Sequence, residues 1–537
     1  MKRFFLSVFL LLAIFSIADA QHIIYADDNK SDVQRMNFEI IGKLANNYLI
    51  YKELKNNTRI SVYDEVMHLV EEVPVTIFPQ KASLLDVAFF PYRSHAYLIY
   101  QYQTGDIVYC EAARVEANGR ILEQPTVLDT THISYTTKGK IYNVITNNDK
   151  SRLLVFKINR RDRSLYKAST LLVDNSLAPL HRGQFTIPID NEKGERLGGY
   201  SLSNDGDFIF TKYTRLKSGN IAESSLAVAG AGTDGFETYP IGNSIGIDQL
   251  FLDDIKIKVD DVNKRVLLAS YFSQSKKGNI DGIYVAAFGK NGNRDFERTI
   301  TFTEELKKKV KSRSSVREAF NNQFINQIIT QDNGAFTISS EALYTSNNNW
   351  DRWGFWGPGM YAGWGFGPGW GWGGWGSWGW GPGWGGYWSP YYYYSPFYYR
   401  SYWWGGWGPW GGGLYDRGWS KFHADNVAIL SFDKNGLLQS DNVIVKRQDD
   451  TETDGTISYQ VMNTEDGTYF LLNNSGKVSE LECIALGNDG SLHKSGSIEA
   501  KTKRLDFMPR YGKQVGSTEM IVPYLYKKNI GFSKWKL

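Results

Sequence analysis

Short runs in which hydrophobic and polar residues alternate recur along most of the chain, and Asp-Gly or Asn-Gly pairs separate them. The pairs at 205–206, 333–334 and 466–467 each precede an apolar stretch. These dipeptides tolerate the positive φ of two-residue hairpin turns, and alternation with a period of two is typical of half-buried strands. The pattern therefore predicts antiparallel hairpins and an all-β fold.

The recurring unit is a set of four strands, with one turn after the first strand and another after the third. The repeats begin near Phe38, Leu84, Gly139, Gly199, Asp254, Phe324 and Thr456. Most spacings lie between 46 and 70 residues, and the exception shrinks to about 60 when an unusual insertion is left out. Because one such unit does not bury both of its faces alone, neighbouring units are expected to pack face to face.

In these repeats the chain resembles the β-propeller proteins as a general class, over about residues 38–530 without the insertion. The resemblance implies a ring of about seven four-stranded blades, with eight as the alternative count. It also implies that a strand predicted at 519–526 completes the first blade and closes the ring. A β-sandwich followed by a second β domain is the other architecture that the pattern allows. No site comes with the resemblance, because propellers carry many unrelated functions.

The N-terminus has the pattern of a secretory signal peptide. Lys2 and Arg3 precede an apolar run at 4–17, and a small-x-small motif ends at Ala20. We expect cleavage after Ala20, which places the mature chain in the periplasm, at the outer membrane or outside the cell. No later stretch offers about 20 continuous apolar residues, so no transmembrane helix is expected in the mature chain.

One stretch interrupts the strands with the pattern of a short helix. Thr303 is a suitable N-cap for 304–311, which has acidic residues in its first turn and basic residues afterwards. A second piece at 315–320 is a possible continuation. We interpret this stretch as a connection between two blades.

Residues 350–419 hold sixteen of the seventeen tryptophans, and no charged residue or histidine occurs from 353 to 399. Glycine alternates with aromatic residues over much of this segment, which disfavours a helix. Aligned to the repeats, the segment replaces the loop between the second and third strands of one blade. The predicted organisation is therefore a signal peptide at 1–20, a first part of the propeller at 21–349, a low-complexity insertion at 350–419, and the last part with ring closure at 420–537.

Three interpretations of the insertion remain open. The first is a low-complexity loop without a single structure, and the second is a contact element for a protein or a membrane interface. The third is a carbohydrate-binding element that stacks its aromatic rings on sugars. Many exposed tryptophans without nearby charges would reduce solubility, which favours a covered state in the cell. The candidate contact residues are Trp364, Trp370, Trp372, Trp378, Trp380 and Trp384.

Composition and charge exclude several classes of protein. A net charge of +3 is too small for a typical nucleic-acid binder, and two cysteines exclude a disulfide scaffold and a four-cysteine metal site. No two of the seven histidines have metal-ligand spacing, and no nucleophile elbow, P-loop or dinucleotide fingerprint has the right context. We therefore predict no enzymatic activity, no cofactor and no metal.

A few local patterns have a weaker chemical interpretation beside a structural one. Residues 450–455 imitate the start of a calcium loop, but Val461 occupies the position of the closing glutamate. The acidic pairs at 253–254 and 260–261 lie near lysines and an arginine, which favours cross-strand surface pairing over acid–base catalysis. Cys110 and Cys483 are expected to be two separate buried thiols, although an exported protein also permits a bridge.

These patterns together predict an exported β-propeller that acts as a binding or scaffold protein of the bacterial cell envelope. Its aromatic segment would contact an envelope protein or an outer-membrane assembly, in the sharpest form as a plug or lid. A glycan-binding module is the first alternative, and a propeller hydrolase is the second. No nucleic-acid partner is expected.

Overall fold

The computed structural model describes residues 21–537 apart from 346–421 and several short gaps. The short gaps are 28–31, 33–35, 55–56, 123, 138, 161–163, 191, 217–218, 243–249, 254, 277, 312–317, 451–454, 475–476 and 488–489. The predicted signal peptide at 1–20 and the predicted insertion at 350–419 lie outside the described residues.

The described chain is almost entirely strand, as the alternation predicts. The first half contains β1 (His22–Tyr25), β2 (Asn37–Leu44), β3 (Asn47–Leu54), β4 (Asn57–Tyr63), β5 (Leu69–Pro74), β6 (Ser83–Pro91), β7 (His95–Thr104), β8 (Ile107–Glu116), β9 (Thr126–His132), β10 (Asn143–Thr146), β11 (Arg152–Arg160), β12 (Leu165–Asp174), β13 (Pro179–Pro188), β14 (Glu195–Leu202), β15 (Phe208–Arg215), β16 (Ile221–Ala229) and β17 (Glu237–Ile241). The second half contains β18 (Phe251–Leu252), β19 (Lys256–Asp260), β20 (Arg265–Ser273), β21 (Gly282–Gly289), β22 (Arg294–Thr301), α1 (Glu304–Val310), β23 (Gln323–Thr330), β24 (Phe336–Thr345), β25 (Phe422–Phe432), β26 (Leu438–Asp450), β27 (Tyr459–Thr464), β28 (Gly467–Asn474), β29 (Lys477–Leu486), β30 (Leu492–Glu499), β31 (Leu505–Phe507), a 3-10 turn (Pro509–Tyr511), β32 (Lys513–Gln514), β33 (Glu519–Tyr526) and β34 (Asn529–Lys536).

These strands form successive antiparallel units of four strands each. Blades 1, 2 and 3 are β2–β5, β6–β9 and β10–β13, and blades 6 and 7 are β23–β26 and β27–β30. Blade 4 (β14–β17) and blade 5 (β19–β22) belong to one nine-stranded sheet. The two-residue strand β18 joins the two blades, because it pairs with β16 of blade 4 and with β20 of blade 5. Blade 8 has β31 and β32 on its inner side, then β33 and β34, and ends with the N-terminal strand β1.

Consecutive blades pack on one another through buried apolar side chains, and these interfaces form a closed succession. The clusters contain, in order, Tyr51 and Phe89 for blades 1 and 2, Cys110 and Val155 for 2 and 3, Phe156 and Phe208 for 3 and 4, Ile209 and Ile257 for 4 and 5, Phe296 and Phe336 for 5 and 6, Ile329 and Phe470 for 6 and 7, Met462 and Trp535 for 7 and 8, and Phe532 and Phe38 for 8 and 1. Each sheet thus has both faces covered, which one unit cannot achieve alone. The all-β, propeller-type prediction is confirmed, whereas the sandwich alternative is wrong.

The described residues contain eight blades, the alternative count rather than the preferred seven. The strand predicted at 519–526 exists, but it does not complete the first blade. It is the second strand of blade 8, and its neighbour β34 pairs with β1 in the register Ile23 to Trp535. The sequence count missed this blade because its inner strands are very short and its outer strand comes from the other end of the chain.

The predicted helical connection and the predicted state of the cysteines are confirmed. Thr303 caps α1, its hydroxyl accepting a hydrogen bond from the Leu306 amide at 3.2 Å, and α1 joins blade 5 to blade 6. Part of the possible continuation at 315–320 lies outside the described residues. Cys110 and Cys483 are both buried and form no disulfide.

The structure describes the predicted pairing of the acidic residues, but it describes little of the calcium-like loop. Asp260 pairs across the strands with Arg265 at 3.0 Å, as predicted, but both side chains are buried rather than at the surface. Most of the calcium-like loop lies outside the described residues, as does Asp254. Within the part of the chain that the structure describes, no group of three or more potential metal ligands occurs. No helix there is long and apolar enough to cross a membrane.

Candidate functional site

Residues 346–421, which include the predicted insertion, connect the second and third strands of blade 6. The flanking strands β24 and β25 are paired up to the last described residues, Thr345 opposite Phe422 and Tyr344 opposite His423. The predicted place of the insertion within a blade is therefore confirmed. The six candidate contact residues, Trp364, Trp370, Trp372, Trp378, Trp380 and Trp384, lie outside the described residues. The structure describes the base of this segment, which consists of the ends of β24 and β25 and the side chains of β26 and blade 7 that pack against them. We call this base the root.

Two irregularities in strand pairing shape the root. The register between β24 and β25 shifts between Glu341 and Leu343, and that between β25 and β26 shifts between Asp425 and Val427. A bulge of this kind bends a strand and re-aims side chains, and bulges are common beside functional sites. Near these two shifts, charged side chains of three adjacent strands are buried in the blade.

The centre of the root is a buried ion pair between Lys446 and Glu341. The Lys446 amine lies 2.6 Å from a Glu341 carboxylate oxygen, and both side chains are almost completely inaccessible. The amine also donates to the Ala424 carbonyl at 2.9 Å and to the Gln448 side-chain oxygen at 2.8 Å. Burial lowers the pKa of Lys446, whereas the neighbouring Glu341 charge opposes that shift. The pair is thus held by further hydrogen bonds, as a buried ion pair requires.

Ser458 of blade 7 joins this network with an unusual backbone conformation. Its φ is 75°, in the left-handed region that non-glycine residues rarely adopt. The Ser458 amide donates to the Gln448 side-chain oxygen at 2.8 Å, and its hydroxyl donates to Glu341. Such strain persists where the surroundings over-determine the conformation. The root therefore fixes blades 6 and 7 to each other, and its buried groups are suited to holding a position rather than to contacting a solute.

A second contact lies directly where the chain leaves the sheet. The Tyr344 hydroxyl donates to Asp425 at 2.6 Å, and the Tyr344 ring stacks on His423 with centroids 4.7 Å apart. Both contacts join β24 to β25 within three residues of the end of described pairing. They stabilise the two strand ends that carry the aromatic segment.

The root is also tied to the helical connection. The Asn426 side-chain amide donates to the backbone carbonyls of Lys309 and Val310, and its oxygen accepts from the Lys446 amide at 3.1 Å. Leu306 and Val310 of α1 are buried in the cluster between blades 5 and 6. No motif in the sequence marks this network, because its members come from three strands, a helix and a neighbouring blade.

If the root holds the blade together without residues 346–421, the segment is dispensable for folding. Replacing 346–421 by a short Gly-Ser turn is expected to leave the free energy of unfolding unchanged or to raise it by up to about 2 kcal/mol, because a shorter loop costs less entropy to close. Urea unfolding monitored by circular dichroism measures this. Loss of the cooperative transition in this variant would contradict the prediction.

Comparisons with known proteins assign neither a family nor a function to the chain. No family model matches the chain, and no curated protein matches it. Among solved structures it is similar to prolyl oligopeptidase B from Galerina marginata, at 8% identity and a TM-score of 0.40, covering 93% of this chain and 56% of that one. It is also similar to Sqt1 from Saccharomyces cerevisiae (8% identity, TM-score 0.40, 96% and 98% covered) and to an oligogalacturonate lyase in complex with manganese (10% identity, TM-score 0.35, 85% and 98% covered). Its own repeated four-stranded sheets thus assign the chain a generic β-propeller-like architecture, without a more specific family.

Proposed function

We propose that the protein is an exported scaffold of the bacterial cell envelope, in which the propeller presents the aromatic segment at 350–419 to an envelope protein or an outer-membrane assembly. The observation that carries this proposal is the root. The two strands that flank the segment are held by a buried ion pair, a strained serine and a tyrosine–aspartate bond. The leader-like N-terminus supports export.

The chemistry of the segment supports contact with another macromolecule. Tryptophan and tyrosine dominate the few residues that supply most of the binding energy at protein interfaces. Presentation from a rigid base lowers the entropy lost on binding, because the ends of the segment are already fixed. The proposed anchors are Trp364, Trp370, Trp372, Trp378, Trp380 and Trp384.

Cross-linking and pull-down from bacterial envelopes test the proposal. The full chain is expected to capture a reproducible partner that is lost when 346–421 is replaced by the short turn. A matched variant keeps the length of the segment and changes the six proposed anchors to serine, and it should lose the partner as well. Identical partner sets for all three proteins would refute the proposal.

The glycan-binding alternative is distinguished by tryptophan fluorescence during titration with purified envelope polysaccharides. Trp535 is fully buried at the interface of blades 7 and 8, and the other sixteen tryptophans lie in 350–419. A change in fluorescence without unfolding therefore reports on the aromatic segment. A saturable change with polysaccharide alone would favour the alternative, whereas no change together with protein capture supports the proposal.

A further inference from the structure

The turns between the first and second strands of blades 3, 4 and 5 contact one another. They lie on the face opposite the connections between second and third strands, and they comprise residues 147–151, 203–207 and 261–264. The Asn204 amide of blade 4 donates to Asp261 of blade 5 at 2.7 Å, and the Asp149 amide of blade 3 donates to the Asn204 side-chain oxygen at 3.2 Å. Direct hydrogen bonds therefore hold the three turns together.

The side-chain amide of Asn148, in the turn of blade 3, is held against blade 5. Its nitrogen donates to the Val259 carbonyl at 3.1 Å and to the Asp261 carboxylate. Its oxygen accepts a hydrogen bond from the Lys258 amine at 3.0 Å. A backbone carbonyl can only accept, so the Val259 contact fixes which side of the amide is nitrogen and which is oxygen. The amide is thus oriented between an amine and a carboxyl group.

Lys258 supplies a buried amine at the oxygen side of this amide. It lies on β19, the inner strand of blade 5, and it is 2% exposed. Asp260, on the same strand, forms its ion pair with Arg265 at 3.0 Å. Burial lowers the pKa of Lys258 to about 8, although the charges of Asp261 and Asp260 oppose that shift. A substantial fraction of the amine is therefore neutral at pH 8, and the neutral amine is the nucleophilic form.

Asp261 supplies a carboxyl group at the nitrogen side of the amide. Burial raises its pKa, against the hydrogen bonds from Asn204 and Asn148 and the charge of Lys258. A general acid has to lie within hydrogen-bond reach of the atom that it protonates. Asp261 meets this requirement for the Asn148 side-chain nitrogen.

We propose that Lys258 and Asn148 form an intramolecular isopeptide bond, with Asp261 as the general acid. The Lys258 nitrogen bonds to the side-chain carbonyl carbon of Asn148, and the bond between that carbon and the amide nitrogen breaks. Asp261 gives its proton to the departing nitrogen, and the proton released by the amine restores the acid. Ammonia leaves, and the step needs no oxidant, reductant or cofactor. Fixed neighbouring groups of this kind react far faster than the same groups free in solution.

The bond joins blade 3 to blade 5 and encloses blade 4 in a covalent loop of the chain. A link that closes a long loop restricts the unfolded chain, which is the main way in which cross-links stabilise a fold. An amide link, unlike a disulfide, also resists thiol reductants. The inferred role of the bond is therefore to keep the ring closed at blades 3 to 5.

Tryptic peptide mapping of the full chain, denatured after purification, tests the bond. Trypsin does not cleave after an acylated lysine, so we expect a branched peptide that joins residues 141–150 to residues 257–264. Its mass should equal the sum of the two peptides minus one ammonia. The mass of the intact chain is not sufficient, because cyclisation of an N-terminal Gln21 also releases ammonia.

Two variants separate the chemistry from simple proximity. Lys258→Met removes the nucleophile and should abolish the branched peptide. Asp261→Asn keeps a side chain of the same shape without the acid, and it should lower the linked fraction by about tenfold or more. The control Lys494→Met removes an exposed lysine that pairs with Glu482, and it should leave the branched peptide unchanged.

Two results would overturn the proposal. One is a natural chain that yields the free peptides 141–150 and 259–264 without the branched product, and the other is an equal linked fraction in Asp261→Asn and the natural chain. If circular dichroism shows that Lys258→Met is misfolded, Asn148→Ser is mapped instead, with the same expected loss. None of these results depends on the aromatic segment or on the proposed scaffold role.

Discussion

Replacing Lys446 by methionine is expected to lower the free energy of unfolding by about 3–5 kcal/mol, since breaking a buried ion pair leaves one charge uncompensated. Glu341 would lose the amine 2.6 Å away and remain inside blade 6. The hydroxyl of Ser458 would be its remaining described hydrogen-bond donor. Urea unfolding followed by far-UV circular dichroism measures the loss.

Two variants show whether the buried charge is the cause. Lys446→Met combined with Glu341→Gln should recover part of the stability, because no ionised group is then left in the interior. Lys494→Met breaks an exposed ion pair with Glu482 of similar geometry, 2.8 Å, and should cost less than about 1 kcal/mol. Equal losses for Lys446→Met and Lys494→Met would show that the root does not depend on its buried ion pair.

Trp535→Ala is expected to destabilise the protein by about 3–5 kcal/mol, the usual cost of removing a large buried aromatic side chain. Trp535 is fully buried in the cluster that joins blades 7 and 8, together with Met462 and Leu471. Its backbone lies between Ile23 of the N-terminal strand and Met520. The substitution therefore creates a cavity where the two ends of the chain close the ring. Thermal and urea unfolding measure the change.

The matched control for this substitution is Val445→Ala, at a valine whose side chain is 75% exposed on the outer strand of blade 6. It should change stability by no more than about 0.5 kcal/mol. Trp535→Phe fills part of the cavity and should fall between the two. If Trp535→Ala were as stable as Val445→Ala, blade 8 would not take part in closing a cooperative ring.

Local patterns were sufficient to predict the strands and most of the repeats. The turns at Gly206, Gly334 and Gly436 have the positive φ that their dipeptides indicate. Strand β15 begins at Phe208 and β24 at Phe336, directly after such turns. These features depend on residues within a few positions of one another, so alternation and turn chemistry reveal them.

The sequence pattern does not reveal the number of blades, because blade 8 lacks the repeat of alternating strands and turn dipeptides that marks the other blades. Its inner strands are three and two residues long, and its outer strand β1 is four residues long. Strand β1 pairs with β34 from the other end of the chain. Closure by two distant segments leaves no periodic pattern, since the repeat is divided between the termini.

Alternation and turn dipeptides are enough to establish that the chain forms repeated antiparallel hairpins and that its tryptophans are concentrated outside them. Only the packing of distant strands brings charges together in the interior, as it does for Lys446 and Glu341. Local patterning depends on adjacent side chains and the backbone. The environment of a charge depends instead on which distant strands the closed ring brings together and on how completely it removes them from water.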